Sequence, residues 1–363
     1  MVNLDEAHRH EIVTGIRAWS VSMPLRRRLH HATADVSALT AVLVEVQLAD
    51  GVLGRAEVRS NGAYATGEDE AVIAGALLAV PAEGQSVAEL GDELSAHSRL
   101  AQMAVDTAAW DALARRSGLP LYRAWNPAAA QADSVRTHAS IGFCDVETAV
   151  DQARWYVGAG FDRFKIRVGA PDLSADVARV LAIREAAGPA VEFILDANGG
   201  WTYDTAAAAI DAFSGMGVAW IEQPVMAVSD LARLHKDSAL PLYADESARD
   251  PESVASLAGA VDGVHVKLEK CGTATRLFQT VAVARANGLK VALGQMDQGQ
   301  LGCAVTTHLA AALELDRAEL WGWAGITRDV TDTMVMRDGL VTVPAGAGNG
   351  VDSIDTTFAR EIL

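Results

Sequence analysis

Cysteine is scarce in this chain, and the three present do not suggest pairing. Cys144, Cys271 and Cys303 are odd in number, widely separated and outside any CxxC pattern. That excludes a disulfide framework and points to a reducing cytoplasm. Positive charge is also short: 30 Lys and Arg face 47 Asp and Glu, a formal net charge of −17. Nucleic acid and anionic membrane both need a positive surface, so neither is an expected partner. An anionic small molecule stays open, because a bound metal ion can reverse the local potential. Long hydrophobic runs are missing. The longest, over 72–80, contains a glycine and stops at Pro81, well short of the roughly 20 residues that span a bilayer. Residues 1–10 are polar and lack the apolar centre of a signal peptide. No glycine-rich phosphate loop follows any β-rich run, and no low-complexity segment or fixed-length repeat occurs.

What is present is a chain of 363 residues, half of them hydrophobic, enough for more than one compact unit. The first third reads as α+β. Stretches 12–21 and 39–48 carry β-branched residues with partial alternation, Ala49-Asp50-Gly51 supplies a turn, and 52–58 can return as a hairpin partner. Helical spacing follows, strongest over 101–117, and Gly118-Leu119-Pro120 stops it. Beyond about Val135 short β-rich runs alternate with helical stretches. The runs are 135–141, 161–168, 191–196, 218–223, 241–245, 263–268, 289–293 and 319–323. Their recurrence every ~22–30 residues is the length of one strand–helix unit. Eight such units close into a parallel (β/α)8-type barrel; an open doubly wound sheet is the rival. The expected organisation is an N-terminal α+β domain (1–130), a barrel (131–327) and a C-terminal segment returning to the first domain (328–363).

Active sites of such barrels lie at the C-terminal ends of the strands. The third, fourth and fifth runs end in Asp196, Glu222 and Asp245, 26 and 23 residues apart. A lone acid at a strand end is usually a helix cap or a solvated loop residue. Three in register on adjacent strands repel one another unless a cation sits among them, and an all-oxygen donor set suits Mg²⁺. Period-two alternation puts Lys165 and Arg167 on one face of the second run and Lys267 on the same face as His265 and Glu269 in the sixth. Strands two and six oppose each other across an eight-stranded barrel. A lysine near a divalent cation and other cations should have its pKa lowered, which suits a base. The plainer alternative is that these lysines only balance the carboxylates.

These residues resemble the enolase superfamily, close to its muconate cycloisomerase and mandelate racemase groups. Gly51-Val52-Leu53-Gly54-Arg55-Ala56-Glu57 is similar to the capping-domain hairpin, which implies that the N-terminal α+β domain (1–130) is a capping domain over the barrel. Ala108-Ala109-Trp110-Asp111-Ala112-Leu113 with Gly118-Leu119-Pro120-Leu121-Tyr122 resembles the helix leading into the barrel. The resemblance implies Asp196, Glu222 and Asp245 as Mg²⁺ ligands, and Lys267, five residues before Gly272, as the sixth-strand base. It implies loss of the α-proton of a small carboxylate through an enediolate, and a homo-oligomer. An isomerase (cycloisomerase or epimerase/racemase) is favoured over an acid-sugar or hydroxy-acid dehydratase, and a non-catalytic metal- or carboxylate-binding relative is the third reading. One departure stands out. The usual Lys-x-Lys of strand two is Lys165-Ile166-Arg167 here, and an arginine keeps its proton. One-base chemistry on Lys267 survives this change; a two-base racemisation needs another donor. Lys165 and Arg167 would then hold the carboxylate. Asp297, Gln298, Trp323 and Tyr64 are the expected substrate contacts. A tryptophan face at the mouth suits a cationic N-modified amino acid or betaine. Loops over 23–32 and 61–67 are expected to close over the site.

Overall fold

The computed structural model describes the backbone of residues 4–31, 34–62, 66–170 and 172–363. Four antiparallel strands form the capping sheet: β1 (Val13–His31), β2 (Ala34–Leu48) and β3 (Leu53–Arg59), with β14 (Arg360–Glu361) from the C-terminus added on the outer edge of β1. Residues 41–44 of β2 are buried on both faces. Helix Arg99–Arg116 covers one of those faces and is itself buried almost all round. The helix touches β3 at Gly54, where a Cβ would stand 2.0 Å from the Ala108 carbonyl oxygen and 2.4 Å from the Ala112 nitrogen. Only glycine lets backbone meet backbone there. Ser98 caps this helix, and Glu68 accepts from the Arg99 and Leu100 amides at 2.9 and 3.1 Å, a carboxylate at a positive helix end.

Over its described residues, 23–31, the 23–32 segment is strand, not the loop its proline and three arginines suggested. β1 continues to His31 through a register shift between Pro24 and Leu29, where a residue without an N–H forces a bulge. Arg26 donates to the Gly325 carbonyl at 2.8 Å and Thr327 to that of Pro24 at 2.8 Å, so this extension is laced to the rim of the barrel.

The barrel is a seven-stranded parallel sheet in the order β11-β10-β9-β8-β7-β6-β5. The strands are β5 (Ala139–Ile141), β6 (Arg163–Arg167), β7 (Glu192–Asp196), β8 (Val218–Glu222), β9 (Leu242–Ala244), β10 (Gly263–Lys267) and β11 (Lys290–Gly294). The first expected run is split into β4 (Ser134–Arg136) and β5. The eighth, over 319–323, is not a strand; the gap is closed by single contacts. Glu319 donates to Leu293, Ala318 to Arg136, and Leu320 to the Thr137 hydroxyl at 2.9, 3.0 and 3.1 Å. Residues 321–325 then turn, and a Cβ on Gly322 would lie 2.8 Å from Gln295. The C-terminal segment divides its contacts. β12 (Met336–Arg337) and β13 (Leu340–Thr342) form a hairpin on β4, while Asn349 and Val351 reach the capping unit through Asp111 and Arg115. Among the described residues no helix is long and apolar enough to cross a membrane.

Candidate active site

Strand ends bring the charged side chains to one rim. Asp196 and Glu222 are the last residues of β7 and β8, and Asp245 follows β9 directly; all three are buried, with 3%, 1% and 3% exposure. The chain turns sharply after each of the first two, with Asn198 and Gln223 at φ +44° and +38°. Gln223 ties the neighbouring strand ends together. Its Oε1 accepts from the Asp245 and Ser247 amides at 2.9 and 3.2 Å, and its Nε2 donates to Val225 O and Ser247 Oγ.

Lysines answer these acids. Lys165 Nζ lies 2.8 Å from Glu222 Oε1, 3.1 Å from Asp196 Oδ2 and 3.5 Å from Glu319 Oε2. Lys267, the last residue of β10, is 2.7 Å from Asp245 Oδ2, and Lys270 is 2.7 Å from Oδ1 of the same carboxylate. β10 and β6 are four staves apart in the sheet order, so Lys267 and Lys165 stand on opposite walls. Arg167, beside Asp196 in the ladder, accepts at its carbonyl from the Arg179 guanidinium, while its own guanidinium makes no hydrogen bond or ion pair among the described residues.

Electrostatics overturn one expectation. Lys267 was to have a lowered pKa. Burial is the largest influence and works against its ammonium, but Asp245, helped by Glu319 and Glu222, holds Lys267 above the ordinary lysine value. Burial likewise opposes charge on Lys165, and Asp196, Glu222 and Glu319 together raise it well above that value. Burial pushes Asp196 up, only partly offset by Lys165, while Lys267 and Lys270 overcome burial and pull Asp245 far down. The rim thus stores more carboxylate than its lysines neutralise evenly, and Asp196 carries the excess.

Three residues join the cluster that spacing did not single out as functional. His265 places Nδ1 2.8 Å from Glu222 and Nε2 3.6 Å from Glu319. Glu222, Asp245 and His265 are the set, among the described residues, whose donor atoms converge within 4.8 Å as for a metal ion. Asp196 is drawn instead to the Lys165 ammonium. Glu319, from the irregular stave, also faces His138 Nε2 at 3.7 Å. The alternation of β10 already put His265 beside Lys267, and one helical turn after Lys267 marks Lys270. No local pattern marks Glu319.

A cavity of about 840 Å³ opens between the extended β1 hairpin, helix Val146–Gly158 and the barrel mouth. Arg26, Arg27 and Arg28 line one side, Gln295 and Asp297 another, with Trp155 and Trp321 between and Glu319 and His138 below. Of the expected substrate contacts, Asp297 is on this wall. Trp323 is not; both Trp321 and Trp323 are half-buried against the core, but it is Trp321 that lines the cavity, stacked on Trp155 at 6.1 Å. Gln298 is 1% exposed and points inward, its Nε2 3.4 Å from Thr306 and its Oε1 without a partner. Tyr64 lies outside the described residues.

A parallel barrel with acids on three consecutive strand ends, a lysine on the facing wall and an antiparallel sheet over the mouth defines the class of capped α/β-barrel enzymes. Residues 13–124 match the mandelate racemase / muconate lactonizing enzyme N-terminal domain, and 148–356 match the enolase C-terminal domain-like family. The chain belongs to the enolase superfamily, in its mandelate racemase and muconate lactonizing branch. It is 30% identical to a hydrophobic dipeptide epimerase of Enterococcus faecalis over 306 residues, 80% of this chain and 84% of that protein. It is also 30% identical to muconate cycloisomerase 1-2 of Acinetobacter lwoffii over 92% of both. The crystal structure of the dipeptide epimerase from E. faecalis V583 complexed with Mg and the dipeptide L-Leu-L-Tyr superposes with a TM-score of 0.87 at 26% identity, covering 94% of this chain and 99% of that one. The chain is therefore an enolase-superfamily enzyme of the isomerase type, acting on a small carboxylate.

Proposed function

We propose that this enzyme is a Mg²⁺-dependent epimerase or racemase of a small N-substituted amino acid. The observation that carries the reading is the buried trio Asp196, Glu222 and Asp245 on adjacent strand ends, with Lys267 2.7 Å from the last. The donor set fits a hard divalent cation: the oxygens are carboxylate, buried and carried on adjacent strand ends. Asp196, Glu222 and Asp245 would hold it, with His265 behind Glu222. Bound there, the cation would polarise the substrate carboxylate and make the α-proton more acidic.

This chain's residues would do the rest. Lys267 Nζ takes the α-proton as the α-carbon–hydrogen bond breaks, and inversion is completed when the Lys165 ammonium, on the facing wall, gives a proton to the opposite face of the α-carbon. The charge that holds Lys267 protonated comes chiefly from Asp245. Once Asp245 is committed to a cation, that hold weakens and the amine becomes available as a base. Lys165 and Arg167, from the opposite wall, offset the negative charge that develops on the substrate. The arginines of β1 and the aromatic wall would receive the N-substituent and exclude water. We extend the same reading to a cytoplasmic, self-associating enzyme; three cysteines free of disulfides support the compartment.

A direct test is ¹H NMR in D₂O on a panel of dipeptides and N-acyl amino acids. Loss of the α-proton signal with Mg²⁺, its arrest by EDTA, and its absence in Lys267→Ala are expected. Exchange that survives in Lys267→Ala would reject the base assignment. A cycloisomerase is the second reading. It needs one base only, and Arg167, which cannot act as one, favours it.

A further inference from the structure

We infer that Glu57 and Arg59 are positioning residues: through them the capping sheet sets the loop between β11 and helix Gln300–Ala312, and with it Gln295 and Asp297 on the cavity wall. This rests on the reading that the cavity receives the substrate.

Glu57 and Arg59 share one face of β3, two residues apart. Glu57 is 2% exposed, and its carboxylate accepts from the Gly299 amide at 2.6 Å and the Gly302 amide at 3.1 Å. Those amides open the first turn of helix Gln300–Ala312, whose N-cap, Gly299, has no side chain to cap with. Asp329 takes the next amide, that of Gln300, at 2.9 Å. A Cβ on Gly299 would meet both Glu57 oxygens at 2.7 and 2.8 Å and Asp329 at 2.9 Å, so no local cap can share the place. A Ser or Asp at the N-cap would satisfy this helix from within. Capping it from a distant strand instead makes the helix start depend on where the capping sheet sits. The arrangement is costly, since burial and the nearby Asp329 both raise the Glu57 pKa.

The second grip lies three residues before the helix. The Arg59 side chain, 2% exposed, reaches Asp297 Oδ2 at 3.9 Å. Just before the two grips the loop is held by Glu269, which accepts from the Met296 amide at 2.9 Å, and by Gln295, whose Nε2 lies 2.9 Å from Cys303 Sγ. Cys303 is fully buried in that first turn. Its thiol therefore reports the loop's position.

The experiment has two independent readouts. The first is the rate at which an aromatic disulfide labels Cys303 in a Cys144→Ala background, with Cys271 as buried control. Glu57→Ala should expose Cys303, and Glu57→Gln, which keeps one acceptor, should do so less. The second is KM and kcat for α-proton exchange in L-Leu-L-Tyr. Arg59→Met should raise KM about tenfold, below the ~10²-fold of a 1 Å misplacement, with kcat and melting temperature unchanged. Arg59→Lys should restore KM, and Arg59→Met with Asp297→Asn should be no worse than either alone. Unchanged Cys303 labelling in both Glu57 variants, or additive KM effects of Arg59→Met and Asp297→Asn, would overturn the clamp. If the parent enzyme exchanges no proton of L-Leu-L-Tyr, the substrate reading fails there, while Cys303 labelling still decides the clamp.

Discussion

The two halves of the barrel mouth are built differently. From β7 to β10 the staves are hydrogen-bonded strands, with one register shift between Phe193 and Ile194, and the acid at the end of each of the first three is locked to a neighbour: Asp196 to Lys165, Glu222 to His265, Asp245 to Lys267 and Lys270. From the irregular stave at 316–320 round to helix Val146–Gly158 the wall is aromatic and arginine-rich, and the backbone turns rather than pairs. Hydrogen-bonded strands hold side chains to a fraction of an ångström, which proton transfer needs. Irregular backbone can change shape and charge without disturbing that register. The comparison assigns chemistry to the first half and selectivity to the second.

The comparison breaks first at the lysines. Lys267→Ala removes a group from the ordered half, and exchange should fall about 10²–10⁴-fold, the usual worth of a general base. Arg167→Lys, at the border of the two halves, should stay within about tenfold of the parent, because the charge is kept and no base is lost. Equal losses in the two variants, measured as initial exchange rates in D₂O, would erase the distinction. Gln223→Ala tests whether the ordered half works as a unit. It leaves every acid in place but frees the Asp245 amide, and Mg²⁺ affinity by titration calorimetry should drop about 10–100-fold, as for other residues that hold a ligand in place.

The ordered half is also the half that can be read from sequence. Alternation in Lys165-Ile166-Arg167 and His265-Val266-Lys267 gives the face of each residue, and the acid spacings place them on consecutive staves, because regular strands obey a period of two. The same rule misleads at Trp321-Gly322-Trp323. That stretch is a turn, so of two half-buried tryptophans only Trp321 lines the cavity. Gln298 fails for the same reason: the loop after β11 turns it under the helix start, with Gly302 leaving the space. Pro24 and three arginines look like a loop, yet the hairpin absorbs them through a bulge. The raised Lys267 pKa was not legible at all. It depends on the Asp245 rotamer, a distance between atoms far apart in the chain.

A smaller effect separates both halves from the seam between cap and barrel. His8, stacked on Trp110 at 4.2 Å, is held by burial at a pKa of about 3, and His308, stacked on Tyr122, at about 4. Between those values and 6.5 the unfolded chain binds more protons than the folded one. Their contribution is therefore complete above pH ~7 and lost as the pH falls below 6.5. Melting curves should show a loss of about 1 kcal/mol between pH 7 and pH 6, and His308→Gln should roughly halve it, His8 supplying the rest.

The smallest effect is expected at Trp155. It is 59% exposed, yet its ring lies parallel to Trp321 within 4°. Trp155→Ala should cost stability by no more than about 0.5–1.5 kcal/mol, the worth of an aromatic pair beyond its buried area. It sits on the selective half, however, so KM should shift differently for substrates with bulky and with small N-substituents, while the exchange rate at saturation stays put. A uniform fall in kcat across substrates would place Trp155 with the ordered chemistry and against the division of labour argued from the two walls.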